Sequence, residues 1–221
     1  MKISLSDLIV KLNVLAIFVL MVQVAKAENP WTLSKQENGI TIYVRDMQGS
    51  NLKVFKGMMT IPTRLTTLVA TLDDTKIYPQ LFHNCKSAKL LKRNGTHEAF
   101  NYFITSMPWP VENRDSVVHS VLKQDKDTKK ITIRVGSKSE MVATQSNMIR
   151  INKMSGYWTF EPAKNGNVKV TYELGVDPGG ELPTWLVNAL VVDIPFNTLS
   201  NLRELVKMPV YKTAKRSYIV D

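Results

Sequence analysis

The order of apolar and polar positions predicts a sheet first and a long helix last. Residues 40–45 (ITIYVR) alternate in a period of two, the signature of a half-buried strand. Similar runs over residues 52–60, 88–92, 97–106, 114–124, 131–135, 148–161 and 168–176 read as further strands. Asn94-Gly95 and Asn165-Gly166 are hairpin signals between neighbouring runs. Two stretches inside this series are helical. Pro62-Thr63 opens one, with Leu65, Leu68, Val69 and Leu72 at helical spacing and Asp73-Asp74 as its end. A shorter one falls near Tyr78 and Leu81. Residues 30–33 read as a short helix or a strap over the core, and residues 46–51 and 136–147 as loops.

After the turn at residues 177–180 comes the longest helical pattern, residues 183–206. Leu186, Ala189, Leu190, Phe196, Leu199, Leu202, Leu205 and Val206 make a broad apolar stripe. Pro195, in the middle, removes a backbone donor and frees the carbonyl of Val191, so a kink is expected there. Met208-Pro209 stops the helix, and residues 211–221 read as a loose basic tail. A curved antiparallel sheet of about eight strands with a long terminal helix is an α+β domain. Laying the helix along the concave face buries both apolar surfaces, and a sheet curved that way need not close completely and can leave an interior space.

The first residues stand apart. Lys2 and Lys11 precede the apolar run of residues 14–22, and Ala25-Lys26-Ala27 presents small residues where a signal peptidase reads them. Residues 1–27 thus read as a signal peptide, cleaved after Ala27 or kept as an anchor. The protein is then exported, to a periplasm or outside the cell. Residues 28–207 form one domain and residues 208–221 a basic C-terminal tail. Cys85 is the only cysteine, so no internal disulfide exists and the core must carry stability. Of the formal charge of +10, about +8 falls after residue 27. Such a surface is drawn to anionic lipid head groups or nucleic acid. No nucleic-acid-binding motif occurs, so the expected partner surface is an anionic membrane, touched transiently by a monomer.

Catalytic and metal signatures are absent from the sequence. There are three histidines, no paired metal-ligand spacing, no nucleophile elbow and no phosphate-binding glycine loop. No cofactor is expected. His119 shares a strand face with Val117 and Val121 and reads as a core histidine or a cavity one.

Several segments resemble the START domain, the steroidogenic-acute-regulatory-related lipid-transfer family. They are, in order, residues 38–45 (NGITIYVR), 55–57 (FKG), 108–111 (PWPV) with 113–115 (NRD), Ile149-Arg150 with 155–162 (SGYWTFEP), and 177–188 (DPGGELPTWLVN) with Leu202-Arg203. Together they span residues 31–206. The resemblance implies a helix-grip fold, in which the last helix lids an apolar cavity that holds one lipid. It makes Pro108 and Pro110 a corner of the sheet, with Trp109 covering it. Arg114 and Asp115 then either pair to fix that corner or form a charged end of the cavity that holds a lipid's polar head. Ligand contacts are expected from Tyr102, Phe103, Arg114 and His119 on the sheet and from Asn188, Val192, Phe196 and Leu199 on the helix. Met141 and Val142, apolar residues within a polar loop, are expected to form a gate. The function implied is non-catalytic binding of a lipid or similar apolar ligand, with possible transfer between membranes. The alternative is an enzyme of cyclase or hydrolase type on the same fold, using His119, Arg114, Asp115 and Glu98 as acid–base groups. A third reading is a structural envelope protein with a filled core.

Overall fold

The computed structural model describes residues 30–46 and 53–221. The expected signal peptide at residues 1–27 and most of the 46–51 loop therefore lie outside the described residues. Ten strands form one antiparallel-dominated sheet: β1 (Thr32–Glu37), β2 (Ile40–Asp46), β3 (Lys53–Pro62), β4 (Cys85–Asn94), β5 (Glu98–Thr105), β6 (Arg114–Gln124), β7 (Ile131–Ser137), β8 (Ile149–Arg150), β9 (Lys153–Pro162) and β10 (Asn167–Asp177). Their order is β1-β2-β3-β10-β9-β7-β6-β5-β4, with β8 parallel to β6 off that path. Helices α1 (Leu65–Asp73) and α2 (Tyr78–Leu81) lie between β3 and β4. The long α3 (Thr184–Leu205) follows β10, and a single turn, α4 (Pro209–Lys212), follows that.

The strand signals are realised by alternation. In β10, Val168, Val170, Tyr172 and Leu174 are buried, and Lys169 and Glu173 are not. The Asn-Gly turns work because both residues accept a left-handed backbone: Asn165 and Gly166 stand at φ 59° and 69°. The same chemistry at Asn38 and Gly39 (φ 50° and 70°) makes residues 32–37 an edge strand of a hairpin, not a helix or strap. Trp31, just before it, is held between Arg45 and Lys56, whose cationic groups lie 4.5 and 4.2 Å from its ring centre.

Two further segments depart from the sequence reading. Residues 148–161 are two strands, broken after Arg150, because β8 pairs with Arg114 and Asp115 of β6 whereas β9 pairs with β7 and β10. The end of the chain is docked, not loose. Tyr211 and Ile219 are buried, and the hydroxyls of Tyr211 and Tyr218 donate to Asp74 and Asp73 at 2.8 and 2.9 Å. The Asp221 carboxylate accepts from the Thr66 N–H at 2.7 Å, a backbone donor in the buried first turn of α1 that has no partner within the helix, and from Arg64.

The second half of α3 is gripped by the sheet. Phe196, Leu199, Leu202 and Leu205 join Ile40, Ile42, Phe55 and Met59 in the core. Gly57 permits the closest approach: a methyl there would stand 2.7 Å from Leu199 Cδ1 and 3.4 Å from Pro195 Cβ. The helix runs unbroken through Pro195.

Candidate functional site

Between the sheet and the first half of α3 lies a cavity of ≈ 190 Å³. Its roof is Val187, Leu190, Val191 and Ile194, spaced i, i+3, i+4 and i+7 on one stripe of α3. One wall is aromatic. Trp158 stacks on Tyr172 at 3.8 Å, and Tyr172 meets Phe55 edge-on at 4.9 Å. Phe82 sits edge-on to Phe103 at 5.5 Å and to Trp158 at 6.4 Å. Behind these rings a smaller cavity of ≈ 80 Å³ shares Phe82, Phe103 and Trp158 as its partition. Cys85 lines the larger cavity, and burial pushes its thiol up to about 11, so it stays protonated and inert.

The roof stripe changes character past the cavity. One turn on from Ile194, the Thr198 hydroxyl accepts from the His83 N–H at 3.2 Å, and Asn201 donates to the Leu81 carbonyl at 3.2 Å. These bonds tie α3 to the end of α2 and close the cavity on that side.

At the other end stands Arg114, 1% exposed and part of the cavity lining. Its Nε donates to the Pro178 carbonyl at 3.1 Å, one terminal nitrogen to the Gly179 carbonyl at 3.0 Å, and the other to the Glu112 carbonyl. Arg114 therefore clamps the β10–α3 turn onto the start of β6. It does not pair with Asp115. Adjacent strand residues point to opposite faces, and Asp115 turns to Arg150, which donates to it at 2.8 and 2.7 Å. The Tyr102 hydroxyl adds a third bond at 2.8 Å. Burial opposes ionisation of Asp115, but these bonds outweigh it and hold the carboxyl below its usual range. Burial, with the Asp115 charge beside it, pushes Tyr102 up to about 12.

Arg150 has a second set of bonds. It donates to the carbonyls of Ser139, Val142 and Ala143 at 2.8, 2.7 and 3.1 Å. The loop that carries Met141 and Val142 is thus fastened to a buried ion pair. Neither side chain lines the cavity; Met141 is exposed. Trp109 does not cover the corner either: it is 93% exposed.

Of the expected ligand contacts, Phe103 and Arg114 line the cavity, and Tyr102 and His119 do not. His119 lies on the outer face, bonded to Glu98 at 2.7 Å and stacked on Phe100 at 4.4 Å. On α3, Asn188 is exposed and Val192 half-buried, and neither lines the cavity. Phe196 and Leu199 belong to the packed core, with the Lys35 ammonium 3.7 Å from the Phe196 ring centre. The helix carries two apolar stripes, and the one facing the cavity is offset from the one that reads strongest in the sequence. The spacing of Val187, Leu190, Val191 and Ile194 was the available signal. Lys53, Phe82, Met154 and Trp158 are lining residues that periodicity alone did not single out.

Comparison with known proteins gives one family. The profile described as START domain matches residues 9–210. An uncharacterised protein of Pseudomonas aeruginosa is 35% identical over 195 residues, which are 88% of this chain and 96% of that one. Mouse phosphatidylcholine transfer protein is 26% identical over 166 residues, 72% of this chain and 75% of its own. Among solved structures, a STAR-related lipid transfer protein from Xanthomonas axonopodis superposes with a TM-score of 0.74 at 34% identity, covering 80% of this chain and 99% of that one. Human StAR-related lipid transfer protein 5 reaches a TM-score of 0.70 at 14% identity, covering 88% and 94%, which is a likeness of fold. The helix gripped by a curved sheet, the cavity beneath it and these matches place the chain in the START domain family.

Proposed function

We propose that this protein binds a lipid or similar apolar molecule in the cavity under α3, without covalent chemistry, and carries it between membranes after export. The observation that carries this reading is an apolar hollow walled by Phe55, Phe103, Trp158 and Tyr172 and roofed by an apolar stripe of α3; its ≈ 190 Å³ is below the roughly 300 Å³ of a ready ligand pocket, so a lipid enters only with that roof raised. A lipid that buries about 400 Å² of apolar surface there gains on the order of 10 kcal/mol. A bilayer offers much the same, so net affinity is modest and exchange is feasible. Export is supported by the charge and apolar pattern of residues 1–27. Contact with an anionic membrane is supported by the net positive charge and by Trp109, 93% exposed in the loop before β6, and Trp185, 66% exposed in the first turn of α3.

The groups that an enzyme would need are dispersed. His119 and Glu98 pair on the outer face, and Asp115 is sealed against Arg150. This favours a carrier over a cyclase or hydrolase. Native mass spectrometry of the purified protein, with a fluorescent-phospholipid binding assay, tests the reading. A retained apolar ligand, displaced on replacing Leu190 with Trp, is expected. No retained ligand and no binding of the fluorescent lipid refute it.

A further inference from the structure

The polar part of the cavity has one sign. Its ionisable lining residues with formal positive charge are Lys53 and Arg114, joined by His83, and no aspartate or glutamate lines it. Lys53 pairs with Val176 of β10 in the sheet register, and Arg114 bonds to the Pro178 carbonyl, so both cations flank the same end of β10. The aromatic wall lies further along the same cavity.

Arg114 is the unusual member. It is almost fully buried, and a guanidinium stays charged at any ordinary pH. Its three bonds go to carbonyls, which use three of its five N–H groups and bring no negative charge. Among the described residues no carboxylate lies within salt-bridge distance of it. Asp115 faces away and is consumed by Arg150. Glu112, two residues before it, is exposed; its carbonyl accepts from Arg114, and its carboxylate acts on the guanidinium only from beyond salt-bridge distance. Lys53 has a partner, Asp46, at 3.4 Å, but that carboxylate is largely in solvent, where its attraction is screened. A buried cation with no counter-charge in contact is costly, and a ligand that brings an anion against it recovers part of that cost. A neutral head group does not.

We propose that the cavity selects amphiphiles with an anionic group, a carboxylate or a phosphate, seated beside Arg114 and Lys53 with the alkyl chain running toward Phe55, Tyr172 and Trp158. This rests on the lipid-binding reading and adds the sign of the ligand's head.

The test uses the full purified chain and displacement of a neutral fluorescent dye by four ligands of one chain length: hexadecanoate, hexadecyl phosphate, hexadecanol and hexadecyltrimethylammonium. It is run at about 1 M salt, where the Debye length of about 3 Å removes the effect of overall surface charge. The two anions should bind about 10- to 100-fold tighter than the alcohol, as a charge-assisted hydrogen bond allows, and the ammonium weakest. Comparing the two anions distinguishes a fatty-acid site from a phospholipid site. Arg114→Met should bring anions and alcohol to parity, and Arg114→Lys should keep most of the preference. Because Arg114 also holds the β10–α3 turn, Lys53→Met provides a second variant on an undisturbed turn, with a smaller loss of preference. Equal affinities for all four ligands in the unaltered protein overturn this inference and leave the carrier reading intact. Binding of none of them overturns the carrier reading itself.

Discussion

Replacing Asp115 with Asn should destabilise the protein more than any surface change, and the size follows from its surroundings. The side chains of Asp115 and Arg150 are 0% and 5% exposed. Asp115 takes two bonds from Arg150 and one from Tyr102. Asn keeps the shape, removes the charge and sets an amide donor against either Arg150 or Tyr102. Stranding one member of a buried ion pair costs about 3–5 kcal/mol, against a total stability on the order of 5–15 kcal/mol. For a domain of this size the melting temperature should fall by about 10 °C or more. Arg150 also holds the carbonyls of Ser139, Val142 and Ala143, so the loop around Met141 should lose protection from amide exchange in the same variant. The pH dependence has a definite sign. The folded carboxyl is held below its usual value, so its contribution is fully present above about pH 4 and is lost as pH falls through the lower folded value. The variant should lack that part of the acid destabilisation. Asp115→Asn with Arg150→Met removes both partners and should recover much of the loss. Thermal melts and urea titrations from pH 3 to 7 make the comparison. A single variant within about 1 kcal/mol of the original protein, or a double variant worse than both singles, refutes the account.

Gly57→Ala places a methyl 2.7 Å from Leu199 Cδ1 and 3.1 Å from Ile42 Cδ1, and should cost about 1–3 kcal/mol in a urea titration through overpacking where the sheet grips α3. Asp221→Ala removes the acceptor of the Thr66 N–H and the partner of Arg64, and should lower stability by about 1 kcal/mol with ligand affinity unchanged. His119→Ala should leave binding of a fluorescent lipid as it was, since the ring lies on the outer face with Glu98; a large loss of binding or of any turnover would favour the enzymatic alternative. Pro195→Ala restores a donor to the Val191 carbonyl, and should stiffen α3 and slow ligand release measured by stopped-flow dye transfer.

Periodicity was enough for the layout. Residues 168–176 alternate so cleanly that strand and face follow from them, and the terminal helix has only one apolar place to lie. Three kinds of feature escaped. The first is a hairpin whose strand is too polar to read: residues 32–37 (TLSKQE) form an edge, mostly exposed, and only Asn38-Gly39 announces them. The second is the chain end, where Tyr211 and Tyr218 dock through partners more than a hundred residues away in Asp74 and Asp73. The third is the choice of face. Arg114 and Asp115 are neighbours in sequence and look like a pair, yet a strand sends them to opposite sides. On α3, two apolar stripes are equally helical, and which one covers a void depends on where the sheet curves away.

That division of α3 gives the proposed carrier a way to open without unfolding. From Phe196 onward the helix is core, held by Ile40, Ile42 and the close approach at Gly57. Before Pro195 it spans a hollow, and its inward residues Val187, Leu190, Val191 and Ile194 are only half-buried. Apolar side chains facing a void have fewer partner atoms, so lifting them forfeits little dispersion energy. Pro195 marks the boundary and lacks the donor that would tie it to the turn before. The Met141 loop, by contrast, is fastened at three carbonyls to a buried arginine. On energetic grounds the first half of α3, with the β10–α3 turn as its far support, is the cheaper element to move. That turn is held by Arg114, so the residue proposed to receive an anionic head also restrains the roof above it.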